Sequence, residues 1–362
     1  MDINDYLRQE VQIQRVATDL LKNGLFQSLD EAYAAIRAIL LDAESITSAT
    51  KLNKVEKAIA KAVKQALEDG WATYTDGMTD TAIYSAQWYS EQIGATMPGR
   101  AGIESYIESS MMSLSSGNLQ KVGLWGEFVS KSILDTIEQI NNTVRSGYIY
   151  GATVQQTIKN IKVFNDGLAK HRIETLARTG LAHYAQQARN AMALDNADII
   201  SKEVPLVTFD NRTSSKCIGI DTKYHDGWPL GESPIGYPPF HPNCRTQIIY
   251  WLDGEDDPRK DLKRTAIGSG DNYESGDKYK GRKNIKDGEF VIQRVDAGDT
   301  FEQWISKQDK AFIEDVLGKT KARLFMQGKL PLSKMSDAYG NPLTLAQLKA
   351  ANAAAFEAAG IE

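Results

Sequence analysis

Residues 237–251, YPPFHPNCRTQIIYW, place a histidine and a cysteine three apart, between prolines and ahead of an apolar run. Pro238, Pro239 and Pro242 lack backbone donors and bar a helix through the first half. The second half, RTQIIYWLD when extended to Asp253, is β-branched and aromatic and reads as a strand. An earlier run, VPLVTFD at residues 204–210, has the same character. Between the two lies a long segment dense in Gly, Pro, Asp and Ser. Connections beyond about 12–15 residues are either functional or unordered. This one holds both of the chain's 2 cysteines, so order is expected.

Cys217, His241 and Cys244 offer thiolate and imidazole ligands of the kind zinc takes, with Asp210 or His225 available as a fourth. The spacing Cys-x23-His-x2-Cys is not that of a standard finger. Two other readings stand beside the metal. The cysteines would serve as small buried apolar groups with His241 bonded across the loop, or they would pair as a disulfide. Cysteine catalysis needs an accessible, electropositive setting that the stiff Pro242 link does not supply. Walker, Rossmann and HExxH patterns are absent. No catalytic residue is therefore assigned, and zinc is the one candidate cofactor. In FDNRTSSKC, Asp210 turns the chain after the first strand, and Arg212 would fork onto a carboxylate to pin the loop.

Outward from this unit the chain changes character. The first two hundred residues read as helix. In KLNKVEKAIAKAVKQAL, Leu52, Val55, Ile59, Val63 and Leu67 draw one apolar stripe. Ser28 followed by Glu31 suggests a capping box and a helix start. TMPGR at residues 96–100 and SLSSGN at 113–118 read as breaks. Helical periodicity resumes at Trp125 with Val129, Ile133, Ile137, Ile140 and Val144; another helix is entered through Thr153, and HRIETLARTGLAHYAQQARNAMALD forms a third. Residues 254–288 are polar and Gly-rich, with an excess of positive charge after Pro258, and read as a flexible arm. TFEQWISKQDKAFIEDVLG then reads as one amphipathic helix ending at Gly318, with a last helix near Leu343.

The fold expected is mainly α with a small β unit (α+β). It divides into an N-terminal helical bundle (1–118), central helices with a short sheet and the Cys/His loop (119–253), a basic linker (254–289) and a helical extension (290–362). A net charge of −5 gives no global nucleic-acid footprint. The opening MDINDYLRQEVQ lacks the basic and apolar regions of a secretory leader, and no run of about 18 apolar residues occurs. The expectation is synthesis in a reducing cytoplasm without a stable membrane anchor.

Taken together, DNRTSSKC and PPFHPNCR resemble the hallmark of the phage Mu F-like minor head proteins, also called phage head morphogenesis proteins. The matching positions are Asp210, Arg212, Thr213, Cys217, Pro239, His241, Cys244 and Arg245. RSGYIYGATVQQTI resembles the family's Gly-containing segment, and LARTGLAHYAQQARN resembles its Ala-Arg-Thr helix through Ala177, Arg178 and Thr179. TFEQWISKQDKAFIEDVLGKTKARLFMQGKL and PLTLAQL resemble a C-terminal extension, so the likeness spans roughly residues 125–350. Two positions depart. Members often carry Cys after the Arg where Thr246 stands here, and an acid where Gly180 stands.

The resemblance implies a non-enzymatic virion component, made in the host cytoplasm and housed in the capsid interior near the portal in several copies. It would bind the portal, scaffold or major capsid protein, with the arm as a non-specific DNA contact. The alternative it leaves open is an internal ejection protein delivered with the DNA, forming a tunnel or carrying a toxin or transferase activity.

Overall fold

The computed structural model describes residues 3–44, 46–116, 119–257, 259–269, 278–279 and 290–361. The described residues are mainly helical and contain three small antiparallel sheets. About half of the arm read at 254–288, residues 258, 270–277 and 280–288, lies outside the described residues.

The N-terminal layer consists of α1 (Ile3–Leu20), α2 (Phe26–Asp42), α3 (Ala49–Ile93) and α4 (Arg100–Ser109). The helix start expected at Ser28 is not there. Leu21–Leu25 forms a π turn that joins α1 to α2, and Leu25 and Phe26 keep right-handed helical backbone. Ser28 is instead the point of closest approach to α3: a Cβ on Gly70 would lie 2.5 Å from Ser28 Oγ. The stripe on α3 is buried as its spacing predicts. Ser48 caps its start by accepting from Lys51 N, and Gly94, at φ 69°, ends it in the left-handed conformation.

The break at residues 96–100 separates α3 from α4. The second break is a hairpin, β1 (Met112–Ser116) against β2 (Leu119–Gly123). Then follow α5 (Trp125–Ile149), α6 (Val154–Phe164) and α7 (Lys170–Asp195), with a second π turn at Asn165–Ala169. Thr153 and Gln156 close a capping box at α6. Small residues let α7 run through the middle of the molecule, with Ala177, Ala188 and Ala193 fully buried.

Two antiparallel strands form, β3 (Ile200–Leu206) and β5 (Gln247–Leu252), with the two-residue β4 (Trp228–Pro229) on the far edge of β3; β3 begins four residues earlier than the run read at 204–210 and ends at Leu206, before the turn at Asp210. The segment between them is not all loop. It contains α8 (Ser215–Tyr224), capped by Ser214 Oγ on Cys217 N. Inside the stretch read as a linker, β6 (Lys263–Ser269) is a strand. It pairs with β8 (Phe290–Asp296), which also carries β7 (Lys278–Tyr279). Beyond it, the helix expected to run to Gly318 is two, α9 (Phe301–Ile305) and α10 (Lys310–Leu317), because Asp309 caps a new start. α11 (Lys319–Met326), α12 (Leu345–Ala351) and α13 (Ala353–Ala358) finish the chain.

One hydrophobic cluster runs from Ile3 to Ala297 and joins the N-terminal helices to α5, α7, β3 and β5. A second gathers the C-terminal helices around Trp304 and takes in Phe209 and Ile218 from the central unit. A third is small: Val207, Cys217, Ile220, Phe240 and Cys244.

Candidate metal centre

The third cluster is where the sulfurs meet. Cys217 lies in the first turn of α8, not on a strand, while His241 and Cys244 lie in the loop that enters β5. The two thiols are free, and Sγ of Cys217 is 3.7 Å from Sγ of Cys244 and 3.1 Å from Nε2 of His241. All three ligand atoms lie within 4.8 Å of one another. Both cysteines are buried.

The imidazole is held in one orientation. Its Nδ1–H donates to the Pro242 carbonyl at 2.9 Å, which leaves the Nε2 lone pair facing the sulfurs. Burial alone would raise the Cys244 thiol, but hydrogen bonds from Cys217 and His241 outweigh it and hold Cys244 well below the ordinary thiol range. Sharing with Cys244, reinforced by burial, pushes Cys217 up. Burial would lower His241, yet its bond with Cys244 leaves it raised. Of the two thiols, Cys244 therefore gives up its proton the more readily.

The loop is pinned from three sides. Asp210 receives a two-pronged bond from Arg245, at 2.5 and 2.7 Å. Burial works against the Asp210 carboxylate, but Arg245 wins and its pKa stays lowered. The fork expected of Arg212 is therefore made by Arg245; Arg212 contributes only its backbone N–H to Asp210, at 2.9 Å. Thr213 Oγ1 bonds Thr208 O at 2.5 Å and lies 3.2 Å from Asp210 Oδ1. From the helical side, Thr179 Oγ1 accepts from Asn243 N at 3.0 Å, and Asn243 holds a φ of 56°. Arg178 reaches Glu174 at 2.8 Å and Thr18 Oγ1 at 3.2 Å, tying α7 to α1. Pro239 is buried and follows a cis bond from Pro238.

Neither expected fourth ligand joins the three. Asp210 is taken by Arg245. His225 stands elsewhere, bonded to Gly298 O at 2.9 Å and to Arg259 Nη1 at 3.0 Å. The residue that does approach is Thr246, whose hydroxyl donates to Cys217 Sγ at 3.1 Å. It occupies the position where the resemblance would put a cysteine. Spacing alone did not reveal it; that departure was the available signal.

Zinc tests the geometry. With Zn–S near 2.3 Å and Zn–N near 2.0–2.1 Å, a tetrahedral site needs about 3.8 Å between sulfurs and about 3.5 Å from sulfur to nitrogen. The sulfur spacing of 3.7 Å meets this; the nitrogen, at 3.1 Å, would have to retreat by a few tenths of an ångström. A buried Cys2His group of this kind can hold a metal such as zinc in three of its four positions.

No helix among the described residues is long and apolar enough to cross a membrane. No curated protein and no solved structure matches the chain. A family model described as Phage Mu protein F like protein matches residues 138–249. That span starts inside α5 and takes in α6, α7, β3, α8 and the pinned Cys/His loop. It leaves out α1–α4, to which the sequence resemblance did not extend, and the C-terminal extension, to which it did. Over residues 138–249, from within α5 to within β5, the chain is similar to the Phage Mu protein F like family.

Proposed function

We propose that this chain is a phage minor head protein, a virion component that binds rather than catalyses. The observation that carries the reading is that the matched span contains the Cys/His loop and the whole small apolar cluster around it. Its partners are the portal, with scaffold or major capsid protein as neighbours, and its place is the capsid interior near the portal. The four regions read from the sequence are kept as functional divisions: α1–α4 for partner contact, 119–253 as the family unit, 254–289 as the arm, and 290–362 as the brace behind α8. The arm is the candidate for non-specific DNA contact.

Within this reading Cys217, His241 and Cys244 act as a clasp, with zinc as its metal and water or the Thr246 hydroxyl completing the set. The clasp fixes a loop that has few apolar residues of its own. Mass spectrometry of purified particles of the phage that encodes the chain tests the assignment. Peptides of the chain at a fixed ratio to the portal in DNA-free and filled heads are expected. Their absence from both overturns it. Zinc analysis of protein purified without chelator tests the metal separately: about one zinc per chain is expected, and zinc-free, fully folded protein removes the metal.

A further inference from the structure

A cavity of about 370 Å³ lies between α4, the β1–β2 hairpin, α7, the start of α8, the loop before the clasp and the turn at residues 337–341. Pockets of roughly this size hold small ligands or a few residues of a chain. Tyr106, Tyr237 and Tyr339 line it, with Ser113, Gln187 and Lys216. Its lining carries no carboxylate.

Three groups here are left with donors to spend. Gln187, 5 % exposed, lines the cavity; its Oε1 accepts from Asn190 at 3.2 Å, and its Nε2 has no partner among the described residues. Lys216 Nζ donates to Tyr339 O and Asn341 Oδ1, at 2.5 and 2.8 Å, which leaves one of its three N–H donors. Asp337 is its nearest acidic influence and makes no ion pair with it. The third group is backbone. Ser115 N donates to Phe240 O at 3.0 Å, which shows that this residue's peptide groups point away from β2. Side-chain and hydrogen-bond directions alternate along a strand, so Ser113 N–H and C=O point the same way. They meet no partner among the described residues, and they border the same cavity.

The outward peptide groups of Ser113, an unspent amide and an ammonium with one free donor converge on one space. The tyrosine and serine lining is of the kind that contacts polypeptide at small entropic cost. We propose that this cavity binds the end of an extended peptide, which adds two or three residues along the edge of β1 and presents a carboxylate to Gln187 and Lys216. The site does not depend on the virion reading, and it lies beside the clasp without using it.

The test uses the full ¹⁵N-labelled chain and an N-acetylated tetrapeptide mixture randomised at every position. One form has a free C-terminal carboxylate; the other is amidated and free of acidic residues. The expected result is shifts at the Ser113 backbone and Gln187 side-chain amides with the acid mixture, and binding at least about tenfold weaker with the amide. Gln187→Leu and Lys216→Met should each weaken the acid mixture by about fivefold or more while leaving the remaining spectrum in place. Ser113→Pro, which removes the outward N–H together with the bond that Ser113 Oγ accepts from Gln120, is a second route should either variant misfold, with Ser113→Ala as the control that removes that side-chain bond alone. Absent shifts at these residues overturn the proposal. So does equal binding of both mixtures, and so do identical shifts and affinity with acetate alone, which would make the site one for small carboxylates.

Discussion

Cys217, His241 and Cys244 come from two segments that only the fold unites, and the united group is more than two buried thiols. The clasp makes a direct prediction. Replacing both Cys217 and Cys244 with Ser should lower stability by about 2–4 kcal/mol, since two buried thiols become hydroxyls with imperfect partners. Thermal melting followed by circular dichroism reads it; an unchanged midpoint would contradict the clasp. The metal version adds a gain-of-function test. Thr246 stands against Cys217 Sγ at 3.1 Å, so Thr246→Cys should supply a fourth thiolate and raise zinc affinity by at least about tenfold, as read by competition with a chromogenic chelator.

Two carboxylates give opposite pH behaviour. Asp210 is held below its usual range by Arg245 despite burial, so its stabilisation is present above the unfolded carboxylate value and is lost as pH falls through the folded one. Asp210→Asn should cost about 3 kcal/mol at pH 7, because it strands Arg245 on a largely buried site. Glu10 is pushed up to about 7 by burial, which Arg189 and the bond from Gln14 only partly offset. Its folded value lies above its unfolded one. Stability is therefore greatest below the unfolded value and declines as pH rises from about 4.5 to about 7. Glu10→Gln should stabilise the protein at pH 8 by up to about 3 kcal/mol, and the advantage should vanish below pH of about 4.5. Denaturation midpoints at the two pH values check it.

At the scale of elements, packing explains one of the two departures from the family pattern. A Cβ at Gly180 on α7 would lie 2.4 Å from Trp125, whose ring covers that spot and donates its N–H to Thr75 Oγ1 at 3.0 Å. The acid common at this position would have no room. Gly180→Ala should cost about 1–3 kcal/mol by overpacking, measured by urea unfolding. At α8, a Cβ on Gly219 would meet Gly340 O at 2.7 Å, and Lys223 and Tyr224 bond Ser333 O and Ala338 O. The C-terminal extension thus braces the helix that carries Cys217.

The same scale shows what could be read from the residues. Long periodic helices and the strand β5 were legible, because Leu52 to Leu67 repeat one period and the TQIIYW run is dense in β-branched and aromatic residues. Short elements were not. α8 holds Gly219 and is flanked by loop residues, so its one signal was the Ser214 cap. β6, the alternating RTAIGS, was hidden in a polar stretch. Ser28 offered a capping box in sequence but lies inside a helix continued by a π turn, which residue types do not announce. The three ligand types were legible; their convergence, and the Arg245 fork in place of Arg212, required the fold.

Across the whole molecule, the N-terminal helices share one apolar cluster with the Mu F-like span. Deleting residues 1–120 would expose that cluster, so partner contact has to be tested in the intact chain. Val11 and Tyr84, at 51 and 64 % exposed, offer sites on α1 and α3 where a charge can be placed without touching the core. The most direct measurement is co-sedimentation of the full-length chain with the portal ring of the same phage. The account predicts that the chain sediments with the ring at a fixed ratio, and that Val11→Glu with Tyr84→Glu reduces the bound fraction while leaving thermal melting unchanged. A folded chain that stays in the supernatant at every ring concentration would contradict it.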